Sequence, residues 1–314
     1  MLKISLVILL SYGSFCLLNA QTPPTSKIFE AVRNINIKEV KSLLDQGANP
    51  NSYDVDGDHL LMYSALFSSI DCMQLLLEKG SDPNAKNNLN ETALMWSIHD
   101  LAKMKLLIQH GADVNAKAKS GNTPLLIASI GHGNYEKVKW LLDKGADALA
   151  VNNRKENALI RAALFTDTAT VSLLLSKGID INALSMDSTT ALLNAALNVN
   201  SPVVIQLLER GADPDKICVY GLTALSASVT YNDLASVKAI LRKANKINVQ
   251  DVEGHTILMW AVYNEHDNID IIQALLDKGA DMNLPANNGD TALSWASKKG
   301  NTATVALLKK AGAK

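Results

Sequence analysis

A leucine-rich run that closes on glycine recurs along this chain about every 33 residues, and that period limits what the chain can fold into. The copies read LLDQGANPN, LLEKGSDPN, LIQHGADVN, LLDKGADAL, LLSKGIDIN, LLERGADPD, ILRKANKIN, LLDKGADMN and LLKKAGA. Their glycine position falls at Gly47, Gly80, Gly111, Gly145, Gly178, Gly211, Ala244, Gly279 and Gly312, with spacings of 33, 31, 34, 33, 33, 33, 35 and 33. A unit this short cannot bury an apolar face alone, so neighbours must stack into a repeat array.

A second marker keeps step with the first. It reads TALMWS from Thr92, TPLLIA from Thr123, TALLNA from Thr190, TALSAS from Thr223, TILMWA from Thr256 and TALSWA from Thr291, with degenerate copies at His59 and Asn157. Every gap from the glycine position to the next threonine position is 12 residues, whereas the return gap varies between 19 and 23. The connecting finger is therefore fixed in length. The insertions fall at the turn between two helices, around Ser97–Ala102, Gly131–Asn134 and Glu265–Asn268. Glycine after the leucines supplies the left-handed residue that ends a helix. Gly57, Gly121, Gly221, Gly254 and Gly289, two residues before the threonine position, supply the positive φ of a turn. Threonine then starts a helix, and Pro124 sits in a first turn where its missing N–H costs nothing.

The two markers together resemble those of the ankyrin-repeat family, its TPLHxA motif and the start of its β-turn finger, over about 290 residues. The resemblance implies an all-α repeat fold, a curved solenoid of about nine helix-pair units with β-turn fingers. Residues 26–51 form a capping unit and full repeats run from about 52 to 314, within a single ankyrin-repeat domain at 21–314. Lys309 and Lys310 give the last unit a solvated outer face.

Residues 1–20, MLKISLVILLSYGSFCLLNA, have the layout of a secretory signal peptide: Lys3, an apolar stretch, and Ala20 before Gln21. The stretch is interrupted and shorter than the roughly 20 residues that span a bilayer. The expectation is an exported protein, periplasmic in a Gram-negative bacterium or else secreted, with no membrane insertion once the signal is cleaved. Lysine plus arginine number 30 against 31 aspartate plus glutamate, a balance that argues against nucleic acid as partner.

Catalytic constellations do not emerge. The six histidines form no HExxH pair, and no phosphate-cradling loop or GxSxG is present. Asp54-Val-Asp56-Gly57-Asp58 has its glycine in the wrong register for a calcium loop. No metal or cofactor is expected. Cys72 and Cys218 lie more than four repeats apart, too far for an internal disulfide in a stack. Cys72 reads as packing and Cys218, near a finger tip, as exposed.

The aromatics carry more. Tyr63, Trp96, Trp260 and Trp295 stand four residues after the helix-start position, and Phe67, Phe165, Tyr231 and Tyr263 continue the same helix face. In the ankyrin fold that face is the inner, concave one, beside the fingers, which here carry Tyr53 and Tyr220. Trp and Tyr are favoured anchors of protein interfaces. These ten residues are the expected contacts of a monomeric, non-enzymatic module that binds another protein, regulating or inhibiting an envelope or periplasmic protein. Two rival readings come with it. One is a small-ligand binder or enzyme with a polar pocket around Arg161, Asn194 and Asn198; the other is an effector that binds a host protein.

Overall fold

The computed structural model describes residues 27–165, 167–263 and 268–314. The signal-peptide reading of residues 1–20 and part of the insertion at Glu265–Asn268 lie outside the described residues. The chain divides into two compact units, one ending at Lys119 and the other running from Ser120 to Lys314.

Eighteen helices are present among the described residues, arranged as nine pairs. The first unit holds α1 (Lys27–Arg33) with α2 (Ile37–Asp45), α3 (Leu60–Phe67) with α4 (Ile70–Glu78), and α5 (Ala93–Trp96) with α6 (Leu101–Gln109). The second holds α7 (Pro124–Ala128) with α8 (Tyr135–Asp143), α9 (Ala158–Ala162) with α10 (Thr168–Ser176), α11 (Ala191–Leu197) with α12 (Ser201–Glu209), α13 (Ala224–Thr230) with α14 (Leu234–Lys243), α15 (Ile257–Tyr263) with α16 (Ile269–Asp277), and α17 (Ala292–Lys299) with α18 (Thr302–Ala311). No strand forms among the described residues; two isolated antiparallel bridges, Tyr53 with His59 and Gln250 with Thr256, mark finger bases.

The repeat grammar explains each element. The odd-numbered helices are sandwiched and so apolar almost all round, as in the buried Leu60, Leu61 and Met62 of α3 or Leu125 and Leu126 of α7. Their starts are capped from the threonine position: Thr123, Thr190, Thr223 and Thr291 accept from the backbone N–H three residues on. His59 does the same through Nδ1 to the Leu61 N–H, and Asn157 through its side-chain oxygen. The even-numbered helices end on a left-handed glycine, for example Gly47 at φ +94°. Ala244 cannot adopt that turn cheaply, and the chain leaves α14 in an extended conformation at φ −69°, ψ 140°. The turn position two residues before the helix start is left-handed even where it is not glycine: Asn90, Lys155 and Ser188 have φ of 57°, 57° and 60°. The short gap after Thr92 is absorbed by α5, a four-residue helix, and the long one after Thr123 by the turn through Gly131 and Gly133.

Neighbouring repeats are tied within each unit at two levels. At the helices, side chains reach back to carbonyls of the odd-numbered helix in the preceding repeat. Buried Lys103 donates to Ser64 and Ala65 at 3.3 and 2.9 Å, Arg161 Nε to Leu126 at 2.8 Å, and Asn194 to Ile160 at 2.9 Å. At the finger tips, backbone bonds run from one finger to the one before. In the first unit Lys119 N–H donates to Leu89 C=O at 2.8 Å; in the second, Asn153 to Ser120, Met186 to Arg154, Val219 to Asp187 and Asn287 to Glu253, at 2.7–3.0 Å.

Candidate interaction surface

In most finger tips, which are tight hairpins, the fifth residue before the helix start faces inward. Its N–H donates to the carbonyl of the residue just before the helix start, as in Asn87 to Glu91, Asn152 to Glu156, Cys218 to Leu222 and Asp251 to His255. This position corrects the reading of Cys218: its side chain is buried, not exposed at the tip, because the hairpin turns it toward the stack. Cys72 is fully buried on α4, and burial pushes its thiol up. Both thiols are free.

The inward finger residues, or the acid next to the helix start, meet the residue four positions into the helix. In the first unit Tyr63 Oη donates to Asp54 Oδ2 at 2.6 Å, and Trp96 Nε1 to Glu91 Oε2 at 3.0 Å. In the second, Trp260 Nε1 donates to Asp251 Oδ2 at 3.2 Å, and Arg161 Nη1 to Glu156 Oε2 at 2.8 Å. Asp290 takes Lys298 Nζ at 2.6 Å and Ser294 at 2.9 Å; those bonds, Lys298 first, draw its carboxyl down to about 2. The sequence reading missed these carboxylates. Their signal is an acid one or five residues before the helix start, paired with a hydrogen-bond donor four residues after it.

The consequence for Tyr63, Trp96 and Trp260 is that their polar atoms are consumed inside the repeat, and the two indoles leave their apolar edges over. Trp96, Trp260 and Trp295 are half-buried, as are Phe67 and Phe165, while Tyr231 and Tyr263 are 38% and 60% exposed. Tyr63 is different: it is 7% exposed, packs edge-on to Phe29 at 5.0 Å and tilts against Phe67 at 5.6 Å, with the Arg33 guanidinium over the Phe67 ring. Burial and then the Asp54 bond hold its phenol above the usual range. Tyr53 stands on its finger edge-on to His59 at 4.9 Å and half exposed, and Tyr220 is 57% exposed. Phe165 meets His132 at 6.0 Å.

The densest grouping is in the last two repeats of the second unit. Trp260 and Trp295 lie 6.1 Å apart at 88°, and Tyr263 contacts both at 5.9 and 5.6 Å. His255 packs against both indoles at 5.3 and 4.9 Å, its Nδ1 3.2 Å from Asp251. Lys299 sits over Tyr263 and donates to its carbonyl. The structure thus brings together Trp260, Tyr263 and Trp295, and separately Tyr63 and Phe67.

The polar patch expected around Arg161 and Asn194 is not an open one. Arg161 is 6% and Asn194 3% exposed, and both are spent on Glu156 and on backbone carbonyls. Asn198, half-buried, donates to the Asn194 carbonyl. These residues are polar because they satisfy buried acceptors. The Asp54–Asp58 finger is occupied likewise: Asp54 Oδ1 accepts the N–H groups of Asp56 and Asp58. Among the described residues no group of three or more His, Cys, Asp or Glu is placed to hold a metal ion, and no helix is long and apolar enough to cross a membrane.

The chain matches the family described as "Ankyrin repeats (3 copies)" over residues 28–118, 99–185, 159–251 and 225–314. It belongs to the ankyrin-repeat family. Repeats of this family generally mediate protein–protein interaction, and the fold is typically non-enzymatic. The chain is similar to the mitochondrial disaggregase of Bos taurus, 35% identical over 137 residues, which is 41% of this chain and 20% of that protein. It is 45% identical over 83 residues to the serine/threonine-protein kinase TNNI3K of Mus musculus, 23% of this chain and 10% of the kinase. It is 41% identical over 73 residues to the ankyrin repeat and SAM domain-containing protein 6 of Rattus norvegicus, 23% of this chain and 8% of that protein. The chain thus spans a fifth or less of these relatives.

Proposed function

We propose that this ankyrin-repeat protein binds another protein through the exposed edges of its helix-face aromatics, Trp96 in the first unit and Tyr231, Trp260, Tyr263 and Trp295 in the second. Tyr53 and Tyr220 contribute from the fingers. One observation carries the reading: the indole N–H groups of Trp96 and Trp260 are already bonded to carboxylates of their own repeats, so the surface they offer is apolar and held in one orientation. Rings ordered before contact lose little entropy on binding, which favours them as anchors. Tyr63, buried against Phe29 and Phe67, does not touch the partner.

The partner is a protein of the cell envelope, and binding controls it without chemistry by this chain. The export part of the reading rests on the signal-like composition of residues 1–20. It is tested by fractionation, where recovery of the mature chain in the cytoplasm sinks it.

The binding reading is tested by capture from periplasmic extract with the chain from residue 21 onward, beside its Trp96/Trp260/Trp295 triple-alanine form. One stoichiometric protein retained by the first and lost by the second, with helical circular dichroism unchanged, supports it. Equal retention by both forms overturns the aromatic surface. Loss of one anchor ring should weaken binding by about 2–4 kcal/mol.

A further inference from the structure

Most fingers are bracketed to the next by an asparagine four residues after the helix-ending glycine. The side chain of Asn51 accepts the N–H of Asp82 at 2.7 Å and donates to the carbonyl of Gly80 at 2.9 Å. Asn84 does the same with Asp113 and Gly111 at 2.7 and 2.9 Å. In the second unit Asn182 bridges Asp213 and Gly211 at 2.8 and 3.4 Å, and Asn248 bridges Asp281 and Gly279 at 2.8 and 3.3 Å. In each case one primary amide fills one receptor: the carbonyl of a left-handed glycine and the N–H two residues beyond it.

The finger after Gly145 breaks this rule. Leu149 stands at the asparagine position, 61% exposed, and cannot reach either group with a hydrogen bond. The receptor opposite it keeps its form. Gly178 is left-handed at φ +81°, and the Asn182 N–H closes on Asp180 Oδ1 at 2.9 Å, as the Asn84 N–H closes on Asp82 Oδ1 at 2.8 Å in a filled case. Among the described residues, neither the Gly178 carbonyl nor the Asp180 N–H has a hydrogen-bond partner, and both residues are exposed. Leu149, at the position from which the asparagines reach, gives the open receptor an exposed apolar neighbour.

We propose that this receptor is a recognition point for a primary carboxamide, the side chain of an asparagine or glutamine on a protein partner, set next to an apolar residue. An N–H donor and a C=O acceptor side by side match the oxygen and the NH₂ of one amide plane. A carboxylate would meet the Gly178 carbonyl with repulsion, and an ammonium would leave the Asp180 N–H unpaired. The site is separate from the aromatic edges in position and in chemistry, and it stands whether or not those edges bind.

The probe is propionamide, a glutamine side-chain analogue, titrated into the deuterated full chain while backbone amide resonances are followed. The Asp180 resonance should move downfield and saturate in the millimolar range or above. Those of Asp82, Asp113, Asp213 and Asp281, already filled, should stay in place. N,N-dimethylpropionamide, which lacks the donors, should leave Asp180 where it was. Leu149→Asn should place the Asp180 resonance downfield at the outset and abolish the response, whereas Leu149→Ser should keep it. The proposal is overturned by an Asp180 shift no larger than those of the filled positions, by equal responses in wild type and Leu149→Asn, or by a dimethylamide that works as well.

Discussion

One finger in each unit carries the same bracket and puts it to different use. In the first unit Asn87 takes the N–H groups of Leu89 and Glu91 and holds the Glu91 carboxylate, which receives the Trp96 indole. In the second, Asn152 takes those of Arg154 and Glu156 and holds the Glu156 carboxylate, which receives the Arg161 guanidinium. Register, turn and acid are alike, and only the donor on the helix differs. A tryptophan there keeps a half-exposed ring; an arginine is drawn under the surface, 6% exposed, to serve the Leu126 carbonyl as well. The same scaffold thus yields a contact surface or an internal brace according to one residue, so a polar side chain at this position is a poor sign of a pocket.

The sharpest way to break that comparison is to remove both acids in turn. Glu156→Ala strands a buried guanidinium and should cost about 3–5 kcal/mol. Glu91→Ala strands one donor of Asn87, whose amide keeps its bond to Asp58, and a half-exposed indole, and should cost about 1–3 kcal/mol. Urea unfolding, with hydrogen exchange over 152–162 and 87–97 to locate the loss, separates them. Equal losses would mean that the indole is as internal as the guanidinium.

The first unit carries a response to acid of its own. His59 caps α3 in the first unit from a fully buried position, and burial pushes its imidazole down to about 4. The unfolded chain takes up that proton from pH 6.5 downward while the folded chain resists it. The stability conferred by neutral His59 is thus complete above 6.5 and is lost as pH falls toward 4, by about 3 kcal/mol in all. His59→Thr, the residue at most other helix starts, should remove this slope from stability curves between pH 7 and 4; an unchanged slope would assign it to other groups.

The smallest effect concerns Leu149. Leu149→Asn supplies the missing bracket and should raise the stability of the second unit by about 0.5–1.5 kcal/mol, seen as a higher denaturant midpoint at unchanged m. A loss of stability would show that the receptor opposite Leu149 is not shaped like its filled counterparts.

The array itself was legible because two motifs keep phase over the whole chain: nine pairs, capped starts, fixed fingers and variable turns all follow from spacing. What stayed hidden was direction. Cys218 is one residue from a tip, and only the hairpin's own hydrogen bonds reveal that its side chain turns inward. Lys155 and Ser188 give no hint in isolation of a left-handed backbone, though the glycines in register with them do. Aromatic spacing located the helix face, but the depth of each ring depends on its neighbours: Tyr63 sinks against Phe29 to 7% exposed, whereas Trp260, at the same position of its repeat, stays half-buried. The division after Lys119 leaves no mark in the period, since the spacing of 34 from Gly111 to Gly145 runs through it.

The finger tips' backbone bonds have a consequence for change in this molecule. Most tips are fastened through the main chain to the tip before, in runs such as Asn153 to Ser120 and Met186 to Arg154, so a residue added there would displace the register of both neighbours. Among the described residues the opposite edge carries no such rail. Residues Gly131 to Asn134 already hold an insertion, and lengthening that turn costs little more than loop closure, on the order of 0.6 kcal/mol per doubling. The described turns are thus free to acquire new loops, tags or grafted segments, while the fastened tips can vary only in their side chains.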